Sequence, residues 1–287
     1  MDAEMPTRKS TGTYITTIRV LLHVAAQRDY ELHSLDFSTA FLQGSLHEEI
    51  WLRHPPGFTG SFLAGTQWSL RRPVYGLRQA PREWHNTLRT TLAALGFAPS
   101  TADPSLFLRT DTTLPSFYVL MYVDDLVFAT ADTEALALVK VELQERHICT
   151  NLGPSALRLP VLLATTQSSV YRPLVLSSTF GRVPSRLATW LSVDMESCEA
   201  EIYAGAMATQ ELRWLTYLLT DLGEWPRSPL ILYVDNKAML ALWREQRLEH
   251  RTKHIALRYF LARELQHRRQ LRLSYVASWA NTASWVW

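Results

Sequence analysis

The chain has 287 residues, 47% of them hydrophobic, and a formal net charge of +2 at pH 7, enough for one large domain or two of ordinary size. Its two cysteines, Cys149 and Cys198, are far apart and lack CxxC spacing, which argues against a disulfide framework and a zinc site. No apolar run approaches the roughly 18 residues of a membrane span, and no signal peptide is evident, so we expect a soluble, intracellular protein of the cytoplasm or nucleus with no membrane partner.

The first predicted elements lead to an aspartate. Four apolar residues recur at 3, 4, 3 spacing, namely Ile15, Ile18, Leu22 and Ala25. This spacing predicts an amphipathic helix that packs on a sheet. The strand-like stretch that follows places Asp36 among aliphatic and aromatic neighbours, with no cation beside it, and Gln43-Gly44 predicts a turn.

A short basic loop, Tyr75 to Arg82, precedes the second predicted helix. Pro81 closes the loop, apolar residues follow at helical spacing, and Gly96 is a stop signal. Arg78 and Arg82 carry fork-shaped donors that suit phosphate. A surface turn with incidental arginines is the alternative. Residues 99 to 117 read as a turn-rich connection.

Two adjacent acids, Asp124 and Asp125, lie within an apolar, β-prone run from Val119 to Ala129. Burying an unpaired charge there costs several kcal/mol, which a divalent metal would offset. The run is long enough for two short strands with the acids at their turn. With Asp36 on an adjacent strand, three carboxylates would form a cage for two Mg²⁺ ions about 3.5–4 Å apart. Ordinary hairpin-turn chemistry is the alternative.

The chain changes character after a helix predicted from Glu134 to Leu143 and expected to end near Asn151 to Gly153. Four prolines, scattered Ser and Thr, and little periodicity predict a linker or poorly ordered loop over residues 154–187. A long helix from Glu199 with a leucine stripe ends at Gly223.

Two strands with helices between them complete the chain, at 230–234 and 271–276. Asp235 follows the first strand at its carboxyl end, where α/β sheets place metal-binding acids. From Trp243 to Arg272 there are nine Lys/Arg against three Asp/Glu, so this stretch carries +6 and the remainder −4. A solvated helix face and phosphate contact are both open. His250 and His254 lack an intervening Glu, which argues against a zinc hydrolase.

Several of these segments resemble a known family in order and spacing. Residues 35–42 (LDFSTAFL), 74–82 (VYGLRQAPR) and 122–125 (YVDD) closely resemble the palm motifs of copia-type retrotransposon reverse transcriptases. Residues 197–203 (SCEAEIY), 232–236 (LYVDN) and 251–255 (RTKHI) are similar to the ribonuclease H domain of the same polyprotein.

The resemblance implies an α+β fold. A reverse-transcriptase palm-like antiparallel sheet with helices, including a fingers remnant, would span residues 1–153, and a linker residues 154–187. A partial ribonuclease H-like α/β lobe would span residues 188–287. In the resemblance, Asp36 and Asp124 hold two Mg²⁺ (or Mn²⁺) ions and Asp125 supports the site.

The resemblance also implies substrates and their contacts. Deoxynucleotides and an RNA or DNA template-primer would be the substrates. Phe41 takes the position of the aromatic that packs beneath the incoming sugar, with a core aromatic as the alternative role. Further nucleotide or template contacts are implied for Gln79 and its neighbours and for Tyr122. In the second lobe, nucleic acid would be contacted by three residues, namely Arg251, Lys253 and His254.

The ribonuclease H resemblance is incomplete in its acids. Glu201 matches the helix acid, with Glu199 as the runner-up, and Asp235 matches the strand acid. The first-strand aspartate has no counterpart, and Ser284 stands where the family has Asp. Because each missing acid weakens metal binding, we predict a ribonuclease H remnant without activity.

Three functions follow from the sequence. The leading one is the RNA-directed DNA polymerase domain of a copia-type retrotransposon, in a degenerate copy that is truncated before residue 15 and internally deleted around 154–187. The alternatives are a non-catalytic nucleic-acid-binding remnant and a pseudogene product. The oligomeric state is open.

Overall fold

The computed structural model describes residues 15–54, 57, 66–109, 116–154, 198–224, 230–234, 237, 240–241 and 263–277. The chain divides into two units, Met1–Ser168 and Ser169–Trp287. The described helices of the first unit are α1 (Ile15–Gln27), α2 (Ala80–Ala94) and α3 (Thr133–Arg146). Its described strands are β1 (Glu31–Phe37), β2 (Trp51–Leu52), β3 (Trp68–Ser69), β4 (Phe97–Pro99), β5 (Leu106–Arg109), β6 (Phe117–Tyr122), β7 (Asp125–Thr130) and β8 (Cys149–Pro154).

The first unit has a mixed α+β fold. Its six-stranded antiparallel sheet has the strand order β4-β5-β6-β7-β1-β8. Strands β6 and β7 form the predicted hairpin, and β1 lies between β7 and β8, antiparallel to both. Strands β2 and β3 pair separately. The strand that carries Asp36 therefore lies directly beside the hairpin that carries Asp124 and Asp125.

Helices α2 and α3 cover one face of this sheet. Their contact is a single buried cluster that includes Leu35, Phe37, Trp84, Leu88, Phe107, Phe117, Phe128, Leu136 and Leu143. Helix α1 contacts β7, and Arg28 beyond its end donates to the hydroxyl of Tyr118 at 3.0 Å. Side chains alternate along a strand, so Tyr118 faces away from Phe117. Helix α1 therefore packs on the opposite face.

The predicted first helix is confirmed as α1. Its buried positions include Leu21 and Ala25, each 0% exposed. The helix ends because Asp29 adopts a left-handed φ of 53°, which Asp tolerates better than most residues. In this turn the N–H of Tyr30 donates to the carbonyl of Ala25 at 2.9 Å.

Two sequence predictions in the first unit are wrong. The stretch 99–117 was predicted as a turn-rich connection, but it contains strand β5, which pairs with β4 and β6. The helix predicted from Glu134 does not continue toward Asn151, since α3 ends at Arg146 and β8 begins at Cys149. Strand β8 is an edge strand, which tolerates the glycine and proline that concealed it in the sequence.

The second unit contains the predicted long helix, α4 (Cys198–Asp221), and a parallel pair of strands, β9 (Leu230–Val234) and β10 (Leu271–Tyr275). The leucine stripe is confirmed, with Leu212, Leu215, Leu219 and Leu222 at most 2% exposed. Gly223 ends the helix with a φ of 72°. The predicted linker after Pro154 lies outside the described residues. Among the helices that the structure describes, none has the length and apolarity to cross a bilayer.

Candidate functional site

The three predicted acids of the first unit lie at one end of the sheet. Asp36 pairs directly with Asp125 across β1 and β7, so their side chains project from the same face. Asp124 lies in the turn between β6 and β7, and its carbonyl accepts the N–H of Phe37 at 2.8 Å. The hydrogen bond extends the β1–β7 ladder into the turn and fixes the backbone of Asp124.

The turn that carries Asp124 is strained. Val123 has a φ of 55° and is 56% exposed. The left-handed region costs an L-residue about 1–2 kcal/mol, and a β-branched residue there is an outlier. Across the chain, the indole N–H of Trp84 donates to the carbonyl of Val123 at 3.2 Å. Tertiary hydrogen bonds therefore impose the turn geometry that sets the position of Asp124.

We expect Val123→Asn to raise the free energy of unfolding of the first unit by about 1 kcal/mol, because Asn tolerates positive φ and the exposed valine side chain buries little area. Urea unfolding measures this change. Val141→Asn is the matched control, since Val141 is 54% exposed and lies in α3. A gain of the same size in both variants would contradict the strain at Val123.

Tyr75 lies against Asp124. Its hydroxyl donates to Oδ2 of Asp124 at 3.0 Å, and its ring packs on Phe41 with centroids 4.4 Å apart. The pKa of Tyr75 is raised above its ordinary value. The largest cause is burial, followed by the hydrogen bond to Asp124, the charge of Asp124 and the charge of Asp36. The tyrosine is therefore protonated at neutral pH, and the negative charges of Asp124 and Asp36 both act on its hydroxyl.

Asp124 carries the feature that fits a metal ion. Its Oδ1 atom is buried and accepts no hydrogen bond within the part of the chain that the structure describes, which is costly for a carboxylate oxygen. Aspartate oxygens are ligands for Mg²⁺ and Mn²⁺, so the donor type of Asp124 and its place next to Asp125, which pairs with Asp36, fit a divalent cation. No three His, Cys, Asp or Glu side chains among the described residues are already gathered as a metal-holding group.

The residues predicted to contact substrates differ in their burial and in their hydrogen bonds. Phe41 is 8% exposed and belongs to the buried cluster, which agrees with its alternative role as a core aromatic. Gln79 donates to Oε2 of Glu48 at 3.2 Å, so its amide is held in one orientation. Tyr122 is half-buried and pairs with Asp125 across the hairpin.

The basic loop was predicted to run to Arg82, but α2 begins at Ala80, so Arg78 lies in the loop and Arg82 in the helix. Arg82 pairs with Glu83, at 3.0 Å between Nη2 and Oε1, and Glu83 is itself buried. Arg78 and Arg82 are both exposed. Because the guanidinium of Arg82 is engaged with Glu83, Arg78 is better placed than Arg82 to meet a phosphate.

The predicted residues of the second lobe are described only in part. The backbone of Glu201 belongs to α4. The remaining predicted positions lie outside the described residues, namely Asp235, Arg251, Lys253, His254 and Ser284. Their proposed roles stay predictions from the sequence.

Sequence reasoning missed three residues of the site. These are Tyr75, which the sequence marks only as the start of a basic loop, Trp84 and Val123. The sequence predicted the turn at the acidic pair, but Tyr122 pairs with Asp125, so the two turn residues are Val123 and Asp124 and Asp125 begins β7. A hairpin turn of this length needs positive φ, which is why the shift by one residue brings Val123 into a strained conformation.

Comparisons with known proteins show which family the chain resembles. The family model described as reverse transcriptase (RNA-dependent DNA polymerase) matches residues 9–172, which are 164 of the 287 residues. The Retrovirus-related Pol polyprotein from transposon RE2 of Arabidopsis thaliana is 42% identical over 122 residues, 42% of this chain and 8% of that protein. Its counterpart from transposon RE1 is 36% identical over 160 residues, 53% of this chain and 11% of that protein.

A third relative comes from Nicotiana tabacum. The Retrovirus-related Pol polyprotein from transposon TNT 1-94 is 32% identical over 141 residues, 49% of this chain and 11% of that protein. The chain thus spans 8–11% of the length of these curated relatives.

Proposed function

The chain belongs to the reverse transcriptase family of copia-type retrotransposons, and from this premise we propose that its first unit is an RNA-directed DNA polymerase centre. The observation that carries the proposal is the arrangement at the sheet end. Asp36 lies directly opposite Asp125, and Asp124 offers a buried carboxylate oxygen without a hydrogen-bond partner among the described residues.

In this proposal Asp36 and Asp124 hold two Mg²⁺ or Mn²⁺ ions, and Asp125 supports them. When bound, the ions supply positive charge that activates the primer 3′-hydroxyl and neutralises the phosphate. The primer 3′-hydroxyl releases its proton to water, its oxygen forms a bond to the α-phosphorus of the deoxynucleotide, and the bond from this phosphorus to the pyrophosphate leaving group breaks. The hydrogen bonds that Phe37 and Trp84 make to the turn keep Asp124 in position during this step.

The other predicted residues orient the substrates. Phe41 offers a ring beneath the incoming sugar, Gln79 presents an amide fixed by Glu48, and exposed Arg78 reaches a phosphate. Tyr122 supports the hairpin beside Asp125. The template-primer and the deoxynucleotide are therefore the proposed partners of the first unit.

Primer extension tests the proposal. The purified full chain is given a primed RNA template, deoxynucleotides and either Mg²⁺ or Mn²⁺. We expect extension of the primer that depends on the added metal. No extension with either metal would reject the polymerase and leave the two alternatives. Of these, the non-catalytic nucleic-acid-binding remnant is supported by the stretch Trp243 to Arg272, with its charge of +6, and a gel-shift titration with salt separates it from a pseudogene product.

The second lobe enters the proposal as a ribonuclease H remnant in a degenerate copy. Its support is the sequence alone, in which Glu201 and Asp235 match two acids and Ser284 replaces a third. We expect no Mg²⁺-dependent cleavage of an RNA–DNA hybrid, because too few carboxylates remain to hold two ions. The hybrid carries a label on its RNA strand, and an active ribonuclease H is the positive control. Cleavage that disappears in Asp235→Asn would show that the site is intact.

A further inference from the structure

A tyrosine hydroxyl contacts one metal-binding acid of the proposed centre, Asp124, and lies within the electrostatic range of a second, Asp36. The Tyr75 hydroxyl donates to Oδ2 of Asp124 at 3.0 Å, and the charges of Asp124 and Asp36 both act on it. A hydroxyl proton is the positive end of a dipole, so it partly offsets the repulsion between two carboxylates. The hydroxyl therefore supplies these acids with partial positive charge, which a bound cation would supply more strongly.

We propose that Tyr75 is a displaceable latch on the acid pair Asp36/Asp124. Its hydroxyl holds Asp124 when no divalent cation is bound, and cation binding requires the tyrosine side chain to swing away. This inference rests on the proposed function, since it concerns the same acids. It assigns to Tyr75 a role in setting cation affinity, as a positioning residue that acts through Asp124.

The surroundings of Tyr75 permit this movement. The residue is 53% exposed, so only the contacts of its buried half are lost when the side chain leaves, and these include the ring of Phe41. It lies in a turn next to Gly76, which has a φ of 97° and open space around the position of a Cβ atom. A glycine at positive φ lets a turn change its backbone angles at low cost. Tyr75 therefore lies in a segment whose backbone can change conformation.

The latch also covers Phe41. The rings of Tyr75 and Phe41 lie 4.4 Å apart with an interplanar angle of 42°. When Tyr75 leaves Asp124, this face of Phe41 becomes available to another group, which in the proposed function is the sugar of the incoming nucleotide. Two ligands that favour the same open state strengthen each other's binding. Cation binding and nucleotide binding are therefore coupled through Tyr75.

The test measures Mn²⁺ binding to the full chain without substrates. Free Mn²⁺ is followed by electron paramagnetic resonance in the wild type, Tyr75→Phe, Tyr30→Phe and Asp124→Asn. We expect Tyr75→Phe to bind Mn²⁺ about 5-fold more tightly, because the cation no longer competes with a hydrogen bond to a charged acceptor. Tyr30→Phe, the control at the far end of β1, should match the wild type.

The outcomes separate the latch from the proposed function. Unchanged or weaker Mn²⁺ binding in Tyr75→Phe would overturn the latch, provided that Asp124→Asn loses the site. If Asp124→Asn binds Mn²⁺ as the wild type does, the metal assignment itself fails and the latch fails with it. Tyr75→Leu, which also lacks the hydroxyl, should show the same gain as Tyr75→Phe, which guards against a folding defect in either variant.

Discussion

Asp124→Asn is expected to lower Mg²⁺-dependent primer extension by roughly 10³-fold or more, because an amide cannot supply the negative charge that holds two cations beside the reacting phosphate. The buried Oδ1 of Asp124 is the atom that no described residue satisfies. An asparagine at this position keeps the shape of the side chain, so the loss reports on charge rather than on packing.

The measurement is single-turnover extension of a labelled primer on an RNA template, with enzyme in excess. Asp29→Asn is the matched control, because Asp29 is exposed and precedes β1, at the end of that strand opposite Asp36. Its φ of 53° suits asparagine equally well. The control should extend primers as the wild type does. Equal loss in the two variants would assign the effect to general damage.

A stability measurement accompanies this experiment. Asp124→Asn removes one of several adjacent negative charges and should leave the urea midpoint of the first unit unchanged or slightly higher. The amide oxygen can still accept the hydroxyl of Tyr75. A variant that loses both extension and stability would indicate that Asp124 serves mainly the fold.

Trp84→Ala should lower the free energy of unfolding of the first unit by about 3–5 kcal/mol, the range for truncating a large buried aromatic. Trp84 is 1% exposed, and it packs edge-on against Phe37 and His147 at centroid distances of 5.0 and 5.6 Å. Its indole N–H also holds the strained turn at Val123. Removing the side chain leaves a cavity and an unsupported turn at once.

Two further variants separate these effects. Trp84→Phe keeps most of the ring packing but loses the hydrogen bond, and we expect a cost of about 1–2 kcal/mol. Trp51→Ala is the control for losing a tryptophan, because Trp51 is 54% exposed and should cost less than about 0.5 kcal/mol. Urea unfolding monitored by circular dichroism measures all three. Equal costs at positions 84 and 51 would contradict a central role for Trp84.

Trp84→Phe also links the core to the proposed chemistry. Loss of the indole donor frees the carbonyl of Val123, so the turn that carries Asp124 is less well fixed. A misplacement of about 1 Å in a catalytic group can cost roughly 10²-fold in rate. We therefore expect primer extension to fall more in Trp84→Phe than its small stability cost would explain.

The sequence by itself determined the local elements. Apolar spacing located α1, α2 and α4, and the β-prone run around Asp124 located the β6–β7 hairpin. These features depend on neighbours within a few residues, because helix and strand periodicity are properties of one segment. The acids were also found from the sequence, since charged residues inside apolar strands are conspicuous wherever they occur.

Only the tertiary structure decided how those acids are held. Strands β5 and β8 exist because partners on the sheet pair with them, and strand propensity depends strongly on such context. Tyr75 contacts Asp124 from 49 positions away, and Trp84 contacts Val123 from 39 positions away. Hydrogen bonds over such separations leave no periodic trace in the chain. The hydroxyl beside the acids and the strain in their turn were therefore visible only once distant segments had packed together.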